Sequence, residues 1–175
     1  KDWQKAFEKS NTIIENPESN ILYELGFTSK KLNNLSELLF KEEENIAVTI
    51  SLDEGEFPRV ANNRFNNISP ISYAFNKALN LNIPWILILY RNGIRLYSTK
   101  NIGVARRSRS ETYIECQPYL LSTTNKGLLW LLFFFDALKK RRNQRGDELR
   151  KKREDKNKKI KDYNEQIRLE RQLGN

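Results

Sequence analysis

Apolar residues recur along this chain with two different periods, and then almost cease. Over Asp2 to Glu15, Trp3, Ala6, Phe7, Ser10, Ile13 and Ile14 fall on one face at spacings of three and four, which predicts an amphipathic helix. Asn16-Pro17 ends it. Ser19-Asn20 can cap a short helix through Leu22, Tyr23 and Leu25, closed by Gly26. Residues 30–40 are mixed, with Leu32, Leu35, Leu38 and Leu39 at helical spacing, and Glu42-Glu43-Glu44 is a polar break.

The period changes at Ile46. Ile46 to Leu52 (IAVTISL) is rich in β-formers and predicts a strand. Residues 53–67 carry Gly55, Pro58 and several Asn, so they read mostly as loop. Ser69-Pro70 opens a helix, Ser as N-cap and Pro in the first turn. Ile71, Ala74, Phe75, Ala78 and Leu79 form its buried stripe. Trp85 to Tyr90 (WILILY) is the continuous apolar run of a strand covered on both faces. Arg91-Asn92-Gly93 supplies an Asn-Gly turn into a partner strand, Ile94 to Ser98. Thr112 to Cys116 predicts a further strand, and about Asn125 to Leu138 a helix. The expected fold is α/β, a mixed sheet with flanking helices.

From Lys139 onward apolar residues become rare. Lys, Arg, Glu and Gln dominate, with opposite charges at i,i+4 such as Asp147 with Lys151 and Glu154 with Lys158. This segment reads as a projecting or frayed charged helix without a sustained heptad repeat. The expected organisation is therefore a domain over 1–138 and a basic tail over 139–175. Charge follows the same division. The first 138 residues hold 16 basic and 15 acidic side chains, whereas the last 37 hold 15 and 7, nearly all of the net +9. A basic tail suggests nucleic acid or an acidic partner surface; a solvated helix without a ligand is the plain alternative.

Composition removes several chemistries. The chain has no histidine, which takes away the commonest general base and zinc ligand. The single cysteine, Cys116, forbids an intrachain disulfide and reads as a small core residue. The longest apolar run, Leu128 to Phe135, is far short of the roughly 20 residues of a membrane span, so no membrane partner is expected, and the cytoplasm is the expected location. Methionine is absent, position 1 included, which suggests a piece of a longer protein. Neither a Walker loop nor G-x-G-x-x-G nor G-x-S-x-G is present. Asn16-Pro17-Glu18 matches only the first two residues of an amino-methyltransferase Asn-Pro-Pro-aromatic motif.

Three groups of side chains are candidates for function. Asp53 and Glu56 follow the Ile46–Leu52 strand, where carboxylates can hold Mg²⁺, although no lysine lies two residues beyond either; the alternative is an acidic surface loop. Arg106, Arg107 and Arg109, with Ser108 and Ser110, form a compact basic loop that can grip phosphates. Lys139, Lys140, Arg141 and Arg142 open the basic tail. Trp85, Trp130 and Phe133 to Phe135 read as core rather than as base-stacking platforms.

The stretches ISPISYAFNKAL, IPWILILYRNGIRLYS, RRSRSETYIE and GLLWLLFFFDAL together resemble the N-terminal, nuclease-like region of large bacterial fused restriction-modification proteins. The resemblance covers about residues 45–138. It implies a restriction-endonuclease-like fold, DNA as partner, Mg²⁺ if the nuclease site is intact, and an adenine-specific methyltransferase domain or subunit downstream. It also implies an Asp and a Glu-x-Lys pair on the strands before the long helix. IAVTISLDEGEFPRV holds that place here and lacks Glu-x-Lys, so Asp53 or Glu56 could supply at most one acid. The reading that follows is a DNA-engaging, catalytically incomplete nuclease-like domain of a restriction-modification or phage-defence protein. Any surviving activity would be that of a Mg-dependent DNA endonuclease or of part of a methyltransferase/restriction enzyme. The competing reading is a non-catalytic interaction module whose basic tail binds nucleic acid or an acidic partner.

Overall fold

The structure, a computed structural model, describes residues 2–15, 20–91, 93–100 and 108–173. The chain divides into two units, 1–138 and 139–175. Among the described residues the first unit holds one six-stranded mixed sheet with helices on both faces. Strands β1 (Thr28–Lys31), β2 (Glu37–Lys41), β3 (Glu44–Ser51), β4 (Trp85–Tyr90), β5 (Gly93–Ser98) and β6 (Tyr113–Cys116) lie side by side in chain order. All neighbours are antiparallel except β3 and β4, which run parallel from Ala47↔Trp85 to Ser51↔Leu89.

Alternation along β3 and β4 explains the two cores. Ala47, Trp85 and Leu87 face one side, packed with Leu25, Phe27, Leu129, Phe133 and Phe135. Val48, Ile50, Ile86 and Ile88 face the other, packed with Phe65, Ile71, Ala74 and Phe75. Helix α1 (Asp2–Glu15), α2 (Ile21–Glu24) and α4 (Gly127–Phe133) belong to the first side and α3 (Pro70–Asn80) to the second. Both faces being covered is why these strands read as unbroken apolar runs. Each fully buried Leu, Ile or Phe contributes about 1.5–3 kcal/mol.

The caps match the sequence signals. Asn20 Oδ1 accepts from Leu22 N at the start of α2, and Ser69 Oγ accepts from Ser72 N at the start of α3. Gly26 follows α2 at φ +84. There Gly26 N donates to Tyr23 O and Phe27 N to Leu22 O, the paired bonds of a Schellman motif.

Four local expectations are corrected. Residues 30–40 are not helical: they hold the β1–β2 hairpin. Asn33 Oδ1 accepts from the amides of Leu35 and Ser36 at 2.9 and 3.0 Å, a side-chain turn that competes with helix. The partner strand expected from Ile94 opens one residue earlier, at Gly93, which pairs with Tyr90; Asn92, and with it the Asn-Gly turn, lies outside the described residues. A Cβ on Gly93 would lie 2.6 Å from the Cys116 carbonyl oxygen, so glycine there serves the approach of β6. The helix expected to reach Leu138 breaks at Phe134, whose extended backbone (φ −62, ψ 145) stacks its ring on Trp130 at 4.0 Å. Phe135 N then donates to Leu25 O, and α5 (Phe135–Leu173) begins. Leu79 is half exposed, and Tyr73 takes its place in the buried stripe of α3.

The Glu42–Glu44 break contains the β2–β3 hairpin turn. Lys41 pairs with Glu44, so Glu42 and Glu43 form a two-residue loop, at φ 51 and 65. Such a loop requires positive φ at both positions and favours Asn-Gly, while residues with a Cβ are strained there by about 1 kcal/mol each. Replacing Glu42-Glu43 by Asn-Gly is therefore expected to raise stability by about 1 kcal/mol in urea unfolding. An unchanged or lower midpoint would contradict this turn geometry.

Candidate functional site

The parallel pair creates a cleft. In an α/β sheet, strands that end together beside a crossover leave an opening outside their carboxyl ends. Here β3 ends at Ser51 and β4 at Tyr90, and a cleft of about 280 Å³ opens between Ser51, Leu89, the β1–β2 turn and Arg64. Its wall is a cross-strand row. Lys31 pairs with Glu37, Glu37 with Thr49 and Thr49 with Leu87, so these residues point to one face of the sheet. Lys31, Glu37 and Thr49 form the polar half of the row, and all three line the cleft. Among the described residues the Glu37 carboxylate has no hydrogen-bond or ion-pair partner. Thr49 is 2% exposed, and its buried hydroxyl oxygen has no partner either.

Arg64 organises the opposite rim. It follows Asn62, whose side chain accepts from Arg64 N at 2.8 Å and caps a 3-10 turn over Asn63–Phe65. Its guanidinium lies 4.7 Å over the Phe65 ring and donates to Ser51 O at 2.8 Å. It also contacts both acids proposed for a metal: Asp53 Oδ2 at 3.3 Å, and Glu56 through Nε at 2.9 Å and through Nη2. Glu56 accepts in addition from Asp53 N at 2.8 Å and Asn62 Nδ2 at 2.5 Å. Burial alone would raise the Glu56 pKa, but Arg64, the Asp53 amide and Asn62 outweigh it and hold the carboxyl below its usual range.

This donor set does not fit a divalent cation. Mg²⁺ asks for open carboxylate oxygens in octahedral array, whereas four donors fill the Glu56 oxygens and the Arg64 guanidinium stands between the two acids. Among the described residues no three Asp, Glu or Cys side chains converge as ligands. Among the described residues the Glu37 carboxylate in the cleft has no partner, and the leucine spacing of the mixed stretch 30–40 does not mark it.

The basic candidates are placed separately. Arg106 and Arg107 lie outside the described residues. Arg109 is exposed in a 3-10 turn, and its Nη1 donates to Thr99 O at 3.2 Å, tying that turn to the end of β5. Lys139 to Arg142 stand near the start of α5, Lys140 exposed and the others half-buried. Arg95 meets Glu115 at 3.3 Å and lies over the Tyr113 and Tyr90 rings. Burial, with the Glu115 carboxylate to which it donates, pushes the Tyr90 hydroxyl up to about 12. That charge is therefore spent inside the fold.

Two outcomes check these assignments. Burial pushes the Cys116 thiol up to about 11, and it is 5% exposed, so an aromatic disulfide reagent is expected to label it only as fast as the domain opens. Rapid stoichiometric labelling of the folded protein would overturn its core role. Glu56→Gln is expected to lower stability by about 1–3 kcal/mol at neutral pH, as charged hydrogen bonds are lost. Because the folded pKa is depressed, this contribution is fully present above the unfolded value of about 4.3 and disappears as pH falls through the folded one. Wild-type and variant unfolding midpoints should therefore converge in acid; a gap that stays constant down to about pH 2 would contradict the network. Comparison with protein-family models, with curated proteins and with solved structures finds no match for this chain.

Proposed function

We propose that this chain is a DNA-engaging domain of restriction-endonuclease-like architecture that binds duplex without cutting it, within a restriction-modification or phage-defence system. The order helix, three-strand meander, crossover helix and parallel strand supports the architecture. The observation that carries the rest is the cleft at the end of β3. The β3 stretch and the loop after it, where the resemblance asks for an Asp and a Glu-x-Lys pair, lack Glu-x-Lys, and among the described residues the Glu37 carboxylate in the cleft has no partner. Lys31 at the entrance and the exposed Ser51 hydroxyl are groups that hold a phosphate backbone. Asp53 and Glu56, the two acids of that stretch proposed for a metal, are engaged by Arg64, so hydrolysis lacks its activator. A methyltransferase domain or subunit as neighbour, and the cytoplasm as location, belong to the same proposal. Among the described residues no helix is long and apolar enough to cross a membrane.

The second reading, a non-catalytic module that binds through its tail, is favoured by one observation. Residues 139–175 carry nearly all the net charge, and the α5 side chains from Arg150 to Tyr163 are exposed all round. The two readings differ in which unit meets the nucleic acid.

With Mg²⁺ present, a labelled duplex should be bound in fluorescence anisotropy with a Kd of about 10⁻⁴–10⁻⁶ M, the range of sequence-independent binding, and a supercoiled plasmid should stay intact. Nicking that Glu37→Gln or Asp53→Ala abolishes would overturn the claim of an incomplete site. Absence of binding at low salt would overturn the DNA reading itself.

A further inference from the structure

Helix α5 segregates its acids. From Arg150 to Tyr163, at 100° per residue, Lys159, Lys152, Tyr163, Lys156, Ile160 and Arg153 fall in that order within an arc of about 120° that contains no carboxylate of that segment. The opposite arc mixes Glu154, Asp155 and Asp162 with Arg150, Lys151, Lys158 and Lys161, and Arg150 also pairs with Asp147 at 2.6 Å. One side of the helix is nearly balanced; the other carries four cations, of which Arg153 and Lys156 have no acid at i±3 or i±4, while Asp155 and Asp162 lie along the edge beside Lys152 and Lys159. Helix stability does not ask for this. Lys152 and Lys156 (i,i+4), Lys156 and Lys159 (i,i+3) and Arg153 and Lys156 (i,i+3) are like-charge neighbours, each mildly destabilising. Around Arg153 and Lys156 no acid of the helix relieves this repulsion, and an anion outside the helix would.

We propose that the face formed by Lys152, Arg153, Lys156 and Lys159 is a docking surface for the phosphate backbone of duplex DNA; this rests on the reading above and adds residues that it does not assign. Lys152 to Lys159 spans about 10.5 Å along the helix, and a duplex presents one phosphate charge per about 1.7 Å of its axis. Four cations within that span meet such a polyanion without an intervening repulsive carboxylate. A lipid surface fits less well. A surface-lying helix sinks a broad apolar face opposite its basic one, whereas the side opposite these lysines is charged throughout, and Ile160 and Tyr163 sit within the basic arc. An acidic protein would need apolar anchors around which to build an interface, and these two residues lie at one end.

The test uses the full chain and two triple variants that each remove three positive charges. One carries Lys152→Gln, Lys156→Gln and Lys159→Gln; the other carries Lys151→Gln, Lys158→Gln and Lys161→Gln on the mixed side. Circular dichroism confirms equal helicity, and anisotropy with a labelled duplex of about 24 base pairs is read over a salt series. The acid-free-face triple is expected to lose about tenfold or more in affinity, with a salt slope smaller by about 2.7, or about 0.9 per phosphate contact. The mixed-side triple should lose less than about threefold. Equal losses in the two triples would show that net charge alone matters and overturn the face. If duplex binding persists unchanged in both, the face falls while the DNA reading stands. If the wild-type chain binds no duplex, both fall. Binding to phosphatidylserine vesicles in place of duplex, lost in the first triple, would reassign the surface to lipid and overturn the proposal.

Discussion

The parallel pairing of β3 with β4 is the constraint from which the rest of the first unit follows. Parallel neighbours cannot be joined by a tight turn, so the chain must leave the sheet and cross over, which it does through residues 52–84 and α3. That crossover covers one face. The other face of the same two strands is equally apolar and has to be covered too, by α1, α2 and α4. Trp85 shows the coupling. Its ring is buried on that second face, and its indole N–H donates to the Leu138 carbonyl at 3.2 Å, so the end of the first unit is fixed to the first residue of β4.

The same constraint makes the cleft. Because β3 and β4 end together while the chain turns away from β3 toward the crossover, an opening is left beside Ser51 and Leu89 that antiparallel packing would have closed with a turn. What lines it decides the chemistry. Arg64 draws Asp53 and Glu56 into a hydrogen-bonded rim, a role in holding the 53–65 loop rather than in reaction chemistry. Among the described residues Glu37 and the Thr49 hydroxyl have no partner, and Lys31 stands at the entrance. A buried hydroxyl without a partner forgoes a hydrogen bond.

The order of elements from Ile46 to Cys116 was legible because covered strands are written as unbroken β-branched and aliphatic runs and because Ser69-Pro70 is an unambiguous helix start. The β1–β2 hairpin was not. Leu32, Leu35, Leu38 and Leu39 mimic a helical period, and the feature that decides otherwise, the Asn33 side chain bonding the Leu35 and Ser36 amides, involves one residue. Glu37 becomes a cleft residue only because it lies on a strand opposite Thr49, which leucine spacing does not show. Asp53 and Glu56 were found as acids near a strand end, but their engagement with Arg64 depends on a loop of ten residues whose path no period encodes. The acid-free face of α5, by contrast, needs only the helical angle. It was missed because opposite-charge pairs at i,i+4 draw attention to the mixed side.

The central claim is that the cleft itself, and not the tail alone, meets DNA. Amide hydrogen exchange of the full chain with and without a saturating duplex tests it most directly. Engagement of the cleft predicts slowed exchange at the β1–β2 turn around Asn34 and Leu35 and in the segment from Ser51 to Arg64, in addition to any change in α5. Protection confined to residues 139–173, with exchange in those two segments unchanged, would contradict the account and leave the sheet domain a scaffold for a basic helix.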